Sequence, residues 1–227
     1  MPGLDMASAR QLNHAQIGLS EIGVAATDYP LLFMKDIDSG HFRLIALFGL
    51  KPGTSLFAVN GGWQATYLPL TVLAAPFYDA GPDQVLCIDE ESNLISTDSG
   101  AALFSEDGSD TPELARIRAM LDYRRGDLNA ANVFVTFLVS LDLIRPLSAT
   151  LVFENGDEES LDGLYSIHPT KVKALDDAAI VDLQRREFLE KIHIIINAMA
   201  QINRIQQLHN MQSPQKMIRF VTEMEAL

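Results

Sequence analysis

The stretch YPLLFMKDIDSGHFRLIALFGL, residues 29–50, decides the fold class of the first half of the chain. It consists of two apolar runs, 29–34 and 42–50, separated by the polar segment 36–41. Two apolar runs joined by a short loop rich in Asp, Ser and Gly predict a β-hairpin. We therefore expect the chain to begin as a β-rich structure.

Turn signals downstream extend this β-rich half. Asn60-Gly61-Gly62 is typical of a tight hairpin turn, because Asn and Gly tolerate left-handed backbone conformations. The alternation of large and small side chains predicts a strand over residues 63–67 that follows this turn. A further short strand is predicted over residues 84–88.

The second half is predicted to be mainly helical. Asp110 or Thr111 can cap a helix there, and Pro112 favours its first turn. Helical spacing continues to about residue 142, either as one helix or as two divided at Gly126. A hairpin follows over 150–153 and 160–167, and a long amphipathic helix over 175–209. The expected fold is thus α+β, with a β-rich N-terminal half containing hairpins, and two long helices and a further hairpin in the C-terminal half. We expect one domain over 1–209 and a tail over 210–227, in which 217–224 forms a short helix.

Charge and composition exclude several classes of function. The net charge is 17 − 30 = −13, which argues against binding to nucleic acid or to an anionic membrane surface. No apolar stretch reaches the roughly 20 residues that a membrane-spanning helix needs, and the N-terminus lacks the apolar segment of a signal peptide. The expected location is the cytoplasm, although export by a leaderless route would leave no trace in the sequence.

Motifs for metal, cofactor or covalent chemistry are missing from the sequence. The five histidines form neither HxH nor HExxH, and Cys87 lies in a predicted strand without a second cysteine. The glycines form no phosphate-binding loop, and there is no GxSxG sequence. We therefore predict no metal and no cofactor, and assign no catalytic residue.

An aromatic segment is the first candidate binding site. Trp63 and Tyr67 precede Pro69, a combination that lines grooves for extended peptides in small β-barrels. In the alternative interpretation, both rings pack in the core and only their polar tips need hydrogen-bond partners. The apolar stripe of the predicted C-terminal helix likewise either packs on the sheet or forms a homo-oligomer.

Carboxylates beside predicted strands are the second candidate. Asp89 and Glu90 follow one strand, and Asp162, Tyr165 and His168 accompany another. If they converged on one cleft, a rigid sheet would hold a carboxylate-lined pocket for a substrate or small ligand. In the alternative interpretation, the acidic residues occupy solvated turns and Tyr165 is a buried strand residue.

Several short blocks, in order, resemble the SapC family of bacterial proteins from about residue 12 to residue 208. The blocks are YP (29–30), ALFGL (46–50), NGGW (60–63), YLP (67–69), PF (76–77), LCIDE (86–90), LF with EDG (103–108) and LDGLY (161–165).

The resemblance implies a link to the bacterial cell surface. The family takes its name from a locus for a paracrystalline surface layer, and members resemble companions of TonB-dependent receptors and of proteins similar to flavin-dependent tryptophan halogenases. It implies no catalytic residues. The function expected from it is a non-enzymatic accessory protein with a protein partner in a surface-layer or TonB-dependent uptake system; the alternative is an enzyme or small-ligand binder that uses the carboxylate pocket.

Overall fold

The structure, a computed structural model, describes residues 4–81 and 83–223. The helices, in chain order, are α1 (Met6–Arg10), α2 (Ile22–Ala25), α3 (Leu70–Leu73), α4 (Pro112–Ser140), α5 (Pro169–Lys173), α6 (Asp177–Arg185), α7 (Phe188–Ala198) and α8 (Ile202–Gln212). The strands are β1 (His14–Gln16), β2 (Leu31–Lys35), β3 (Phe42–Leu47), β4 (Ala58–Val59), β5 (Gly62–Trp63), β6 (Phe77–Ala80), β7 (Val85–Ile88), β8 (Ile144–Pro146), β9 (Ser148–Phe153), β10 (Glu158–Leu161), β11 (Leu164–Ile167) and β12 (Met217–Glu223). The predicted α+β class is confirmed.

The predicted hairpin over residues 29–50 forms the middle of a five-stranded antiparallel sheet with the order β1-β3-β2-β11-β8. Phe33 pairs with Leu44, and both side chains are buried. The loop is closed by Asp36, whose Oδ1 accepts hydrogen bonds from the backbone N–H and the hydroxyl of Ser39 at 2.8 and 2.7 Å. The predicted hairpin is thus confirmed, with β1 and β11 paired on its two outer edges.

The second predicted hairpin forms differently from the expectation. The sequence predicts one return strand over 160–167, whereas Asp162 and Gly163 divide it into β10 and β11. Gly163 has a φ of 78°, a left-handed conformation that ends strand geometry. As a result β10 pairs with β9, whereas β11 enters the central sheet between β2 and β8.

The predicted short helix over 217–224 is wrong for residues 217–223, which form β12; residue 224 lies outside the described residues. Strand β12 pairs antiparallel with β9 in a three-stranded sheet, β10-β9-β12. Met217 is 1% exposed and pairs with Phe153, whereas Ile218, at the point where the pairing register with β9 shifts, is 60% exposed. The free edge of β9 therefore determines the structure of this segment.

The long helices also differ from their predicted bounds. Helix α4 is continuous for 29 residues and passes through Gly126 without a break, so the single helix is the alternative that forms. Thr111 caps it, because its Oγ1 accepts a hydrogen bond from the N–H of Leu114 at 3.4 Å. The helix predicted over 175–209 is divided instead into α6, α7 and α8. The first break is at Glu187, which has a φ of 60°, and the second is a 3-10 turn over Met199–Gln201.

One large core connects the central sheet to these helices. The apolar stripe of α7 and α8 is buried within it, including Ile192, Ile195, Ile205 and Leu208. The stripe thus packs within the chain, and association of two copies through these helices stays a prediction. Within the described ranges, no helix combines the length and the apolar character needed to cross a bilayer.

Candidate functional site

The Trp63 side chain is positioned by the β4–β5 hairpin. Asn60 and Gly61 have φ values of 51° and 78°, so the predicted tight turn is confirmed. The Trp63 ring stacks on Phe57 at a centroid distance of 5.9 Å, and its Nε1 donates a hydrogen bond to the hydroxyl of Tyr29 at 2.7 Å. Tyr29 is fully buried, so the polar tip of Trp63 points into the protein.

The chain leaves strand geometry directly after Trp63, so the strand predicted over 63–67 is wrong beyond that residue. The Oδ2 of Asp28 accepts hydrogen bonds from the backbone N–H groups of Thr66 and Tyr67, at 3.0 and 2.9 Å, and from the Thr66 hydroxyl at 2.6 Å. The Tyr29 hydroxyl donates to the carbonyl oxygen of Tyr67. These bonds replace strand pairing and hold the 64–69 loop against the core.

Glu21 is the most buried acidic residue of this region, at 2% exposure. Its Oε1 accepts hydrogen bonds from the Tyr67 hydroxyl and from the N–H of Leu70, both at 2.8 Å. Its Oε2 accepts one from the N–H of Gly18 at 2.7 Å. The carboxylate thereby joins the loop before α2 to the 64–69 loop and to the first residue of α3.

The pKa values of Tyr67 and Tyr29 are both raised, mainly by burial. Burial raises the pKa of Tyr67, and the hydrogen bond to Glu21 and the negative charge of Glu21 raise it further. Burial also raises the pKa of Tyr29, which the hydrogen bond from Trp63 only partly offsets. Both hydroxyls are therefore fixed in the neutral form as hydrogen-bond donors.

We call Glu21, Asp28, Tyr29, Trp63 and Tyr67 the Glu21 cluster. The indole N–H of Trp63 and the hydroxyl of Tyr67 both donate to acceptors inside the protein. This arrangement favours the packing interpretation of the aromatic segment, with only the half-exposed ring faces left for a partner.

Asp89 and Glu90 lie exposed at the end of β7, in a two-stranded sheet with β6. Asp89 borders a cavity of about 360 Å³ that Asp5 and Arg124 also line. Asp5 is buried and caps α1, and its pKa is lowered mainly by the hydrogen bond from the Ser92 hydroxyl at 2.6 Å. Asp89 is thus the one residue of the predicted pair found at a cavity with other charged groups.

The remaining predicted site residues lie on other elements. Asp162 is exposed in the turn between β10 and β11, where its Oδ1 accepts a hydrogen bond from the Ser160 hydroxyl at 2.9 Å. Tyr165, on β11, packs edge-on against Phe42 at 4.8 Å. His168 is buried and caps α5, with its Nδ1 3.4 Å from the N–H of Lys171.

The structure does not link the two groups of predicted pocket residues. Asp89 and Glu90 belong to the small β6–β7 sheet, whereas Asp162, Tyr165 and His168 flank or form part of a strand of the central sheet. No hydrogen bond or salt bridge among residues 4–81 and 83–223 joins one group to the other. In the same ranges, no group of three His, Cys, Asp or Glu residues is arranged to hold a metal ion.

Sequence reasoning missed the acidic residues that the aromatic segment binds. Glu21 and Asp28 lie in a short segment between β1 and β2, and Tyr67 is 46 residues from Glu21. The available signal was two carboxylates within a small, apolar-rich stretch, one of them directly before Tyr29-Pro30. Such a pattern is common, and only the fold shows which donors these carboxylates meet.

The fold and these clusters describe an α+β protein whose buried carboxylates hold loops together. A family model described as SapC matches residues 1–205, so the chain belongs to the SapC family. No curated protein and no solved structure matches the chain.

Proposed function

We propose that this protein is a non-enzymatic accessory protein that binds a protein partner in a bacterial surface-layer or TonB-dependent outer-membrane uptake system. Membership of the SapC family supports the link to the cell surface. The observation that carries the non-enzymatic part is the full use of the buried carboxylate of Glu21 by donors of its own chain. A general base must instead reach a proton of the substrate.

The same argument extends to the other buried or loop-binding acids. The Oδ2 of Asp28 accepts hydrogen bonds from three donors. Both carboxylate oxygens of Asp5 accept hydrogen bonds from the first turn of α1, and one of them also accepts from Ser92. These carboxylates fix loop positions, which is what a rigid binding scaffold requires. The proposed role for the half-exposed faces of Trp63 and Tyr67 is contact with the partner.

A crosslinking experiment in the native host tests this proposal without disturbing the Glu21 cluster. Gln64 is exposed and lies between the two aromatic residues, so it accepts a photoreactive amino acid in place of its side chain. We expect illumination of cells to join residue 64 to a surface-layer or outer-membrane uptake protein, identified by mass spectrometry. Ile37, which is 98% exposed in the β2–β3 loop, provides the control position.

The proposal fails if residue 64 gives no crosslink, or gives the same products as residue 37. A product that contains only a second copy of the chain would support the predicted homo-oligomer instead. Light scattering of the purified protein, read against its mass of 25.0 kDa, then gives the number of copies.

A second candidate function, small-ligand binding or catalysis, is supported by the cavity beside Asp89. This cavity of about 360 Å³ is lined by the exposed Asp89, the buried Asp5 and Arg124. Native mass spectrometry of protein purified gently from its host would show a bound small molecule as added mass. Asp89→Asn should remove that added mass, whereas the control Glu90→Gln, at the next residue, should retain it. The absence of any adduct, or an adduct that persists in Asp89→Asn, contradicts this candidate function.

A further inference from the structure

Three arginines line a second cavity, which shares Arg124 with the cavity beside Asp89. The cavity has a volume of about 360 Å³ and lies between α4, β3, the end of β1 and the β6–β7 hairpin. Arg124, Arg125 and the amides of Asn129 and Asn132 come from one face of α4, and Arg43 comes from β3. We call this space the arginine cavity.

The three guanidinium groups differ in how they are paired. Arg43 contacts Asp36 at 2.6 Å, and Arg125 contacts Asp79 at 3.4 Å and Asp122 at 2.7 Å. Of these carboxylates only Asp79 lines the cavity. The lining therefore has three positive charges and one negative charge, in a protein with a net charge of −13.

Arg124 is the group that this arrangement leaves without a partner. None of the salt bridges or hydrogen bonds within the described part of the chain involves its side chain, and its Nε is buried with nothing to accept from it. A buried N–H without an acceptor costs free energy, and such groups are rare in folded proteins. No hydrogen bond or salt bridge of the described residues uses the terminal nitrogens of this guanidinium either, and Arg124 lines the arginine cavity, so an acceptor there can pair with those nitrogens.

The chemistry of the lining selects the class of acceptor. Guanidinium groups match the two-oxygen geometry of carboxylates and phosphates, and the amide groups of Asn129 and Asn132 add further donors. We propose that the arginine cavity binds a small oxyanion, the carboxylate or phosphate group of a small molecule. This inference does not depend on the partner protein proposed above.

Calorimetric titration of the full chain at low ionic strength tests the proposal with two probes, inorganic phosphate and citrate. We expect saturable binding of at least one of them at millimolar concentration, and the preferred probe identifies the source of the oxyanion. Arg124→Gln should weaken binding by about tenfold or more, as expected for a lost hydrogen bond to a charged group. Arg118→Gln, on the same helix but outside the cavity, should leave affinity within about twofold.

The proposal is overturned if neither probe binds saturably, or if the two variants lose affinity equally, which would indicate a general effect of charge. A measurement on the unmodified protein covers the case in which Arg124→Gln does not fold. The Nε–H resonance of Arg124 should shift in the NMR spectrum as the probe saturates, and an unchanged resonance at saturation refutes binding in this cavity. Asn129 lines this cavity and not the cavity beside Asp89, so Asn129→Ala should weaken binding; an unchanged affinity would place the oxyanion in the neighbouring cavity and overturn the proposal.

Discussion

Replacing Glu21 provides the sharpest test of how the Glu21 cluster stabilises the fold. Its Oε1 accepts from Tyr67 and Leu70, whereas its Oε2 accepts from Gly18 alone. In Glu21→Gln the amide oxygen can keep the two donors of Oε1. The new NH₂ group then faces the N–H of Gly18, so one donor loses its acceptor.

The size of the effect follows from this count of donors. One buried hydrogen-bond donor without an acceptor costs about 1–3 kcal/mol. We therefore expect Glu21→Gln to lower the free energy of unfolding by about 2 kcal/mol. Glu21→Ala leaves three donors without an acceptor, and two of these donors are backbone N–H groups. The same substitution also removes a buried charge. We therefore expect a loss of about 3–5 kcal/mol for Glu21→Ala.

Urea unfolding followed by tryptophan fluorescence measures these losses at the site itself. Trp63 is the only tryptophan of the chain and donates to Tyr29 within the cluster. Glu106→Gln, at an exposed loop position, is the control and should change stability by less than about 0.5 kcal/mol. The reasoning is refuted if Glu21→Gln matches this control, or if Glu21→Ala costs less than about 1 kcal/mol.

Three further predictions concern the backbone and the buried hydroxyls. Gly18→Ala would place a Cβ 1.9 Å from Oδ2 of Asp127. We therefore expect urea unfolding to show a loss of about 2 kcal/mol in the free energy of unfolding, and a loss below about 0.5 kcal/mol would contradict this close approach. Glu187→Gly should be neutral or raise stability by up to about 1 kcal/mol, because residue 187 has a φ of 60°; a clear loss would show that the Glu side chain is needed. Because the folded pKa values of Tyr29 and Tyr67 are raised, their contribution to stability is complete below about pH 10 and falls as pH rises above it, since the unfolded chain releases these protons first. Unfolding at several alkaline pH values should show this fall, and Tyr67→Phe should reduce its slope; an unchanged slope would refute the assignment to Tyr67.

The parts of the fold that were predictable from the sequence are those that local chemistry determines. The β2–β3 hairpin follows from its apolar runs and from Asp36, and the start of α4 follows from Thr111 and Pro112. The two strands that sequence reasoning placed wrongly, β11 and β12, have a different origin. β12 forms because β9 has a free edge, and β11 leaves its hairpin because the central sheet has a place for it. Both depend on pairing between distant segments, which local spacing does not encode.

The candidate sites show the same division. The aromatic segment was visible because Trp63, Tyr67 and the turn before them are close in sequence. The residues that accept their hydrogen bonds were not predictable, because Glu21 and Tyr29 are distant in sequence and come into contact with them only in the folded chain. The carboxylate pocket was expected because two blocks each placed acids beside a strand, but the structure puts these blocks on different sheets.

The arginine cavity shows why a total charge is a weak guide to local binding chemistry. A net charge of −13 argues against a broad basic face and therefore against nucleic-acid binding. It does not exclude a small enclosed site, because α4 and β3 bring Arg124, Arg125 and Arg43 together while most acids lie elsewhere on the surface. The negative surroundings disfavour large polyanions, whose many charges would meet the surface acids, and affect a small oxyanion much less because exposed charges beyond roughly 8–10 Å are screened. The same charge distribution thus excludes one class of anionic ligand and permits the other.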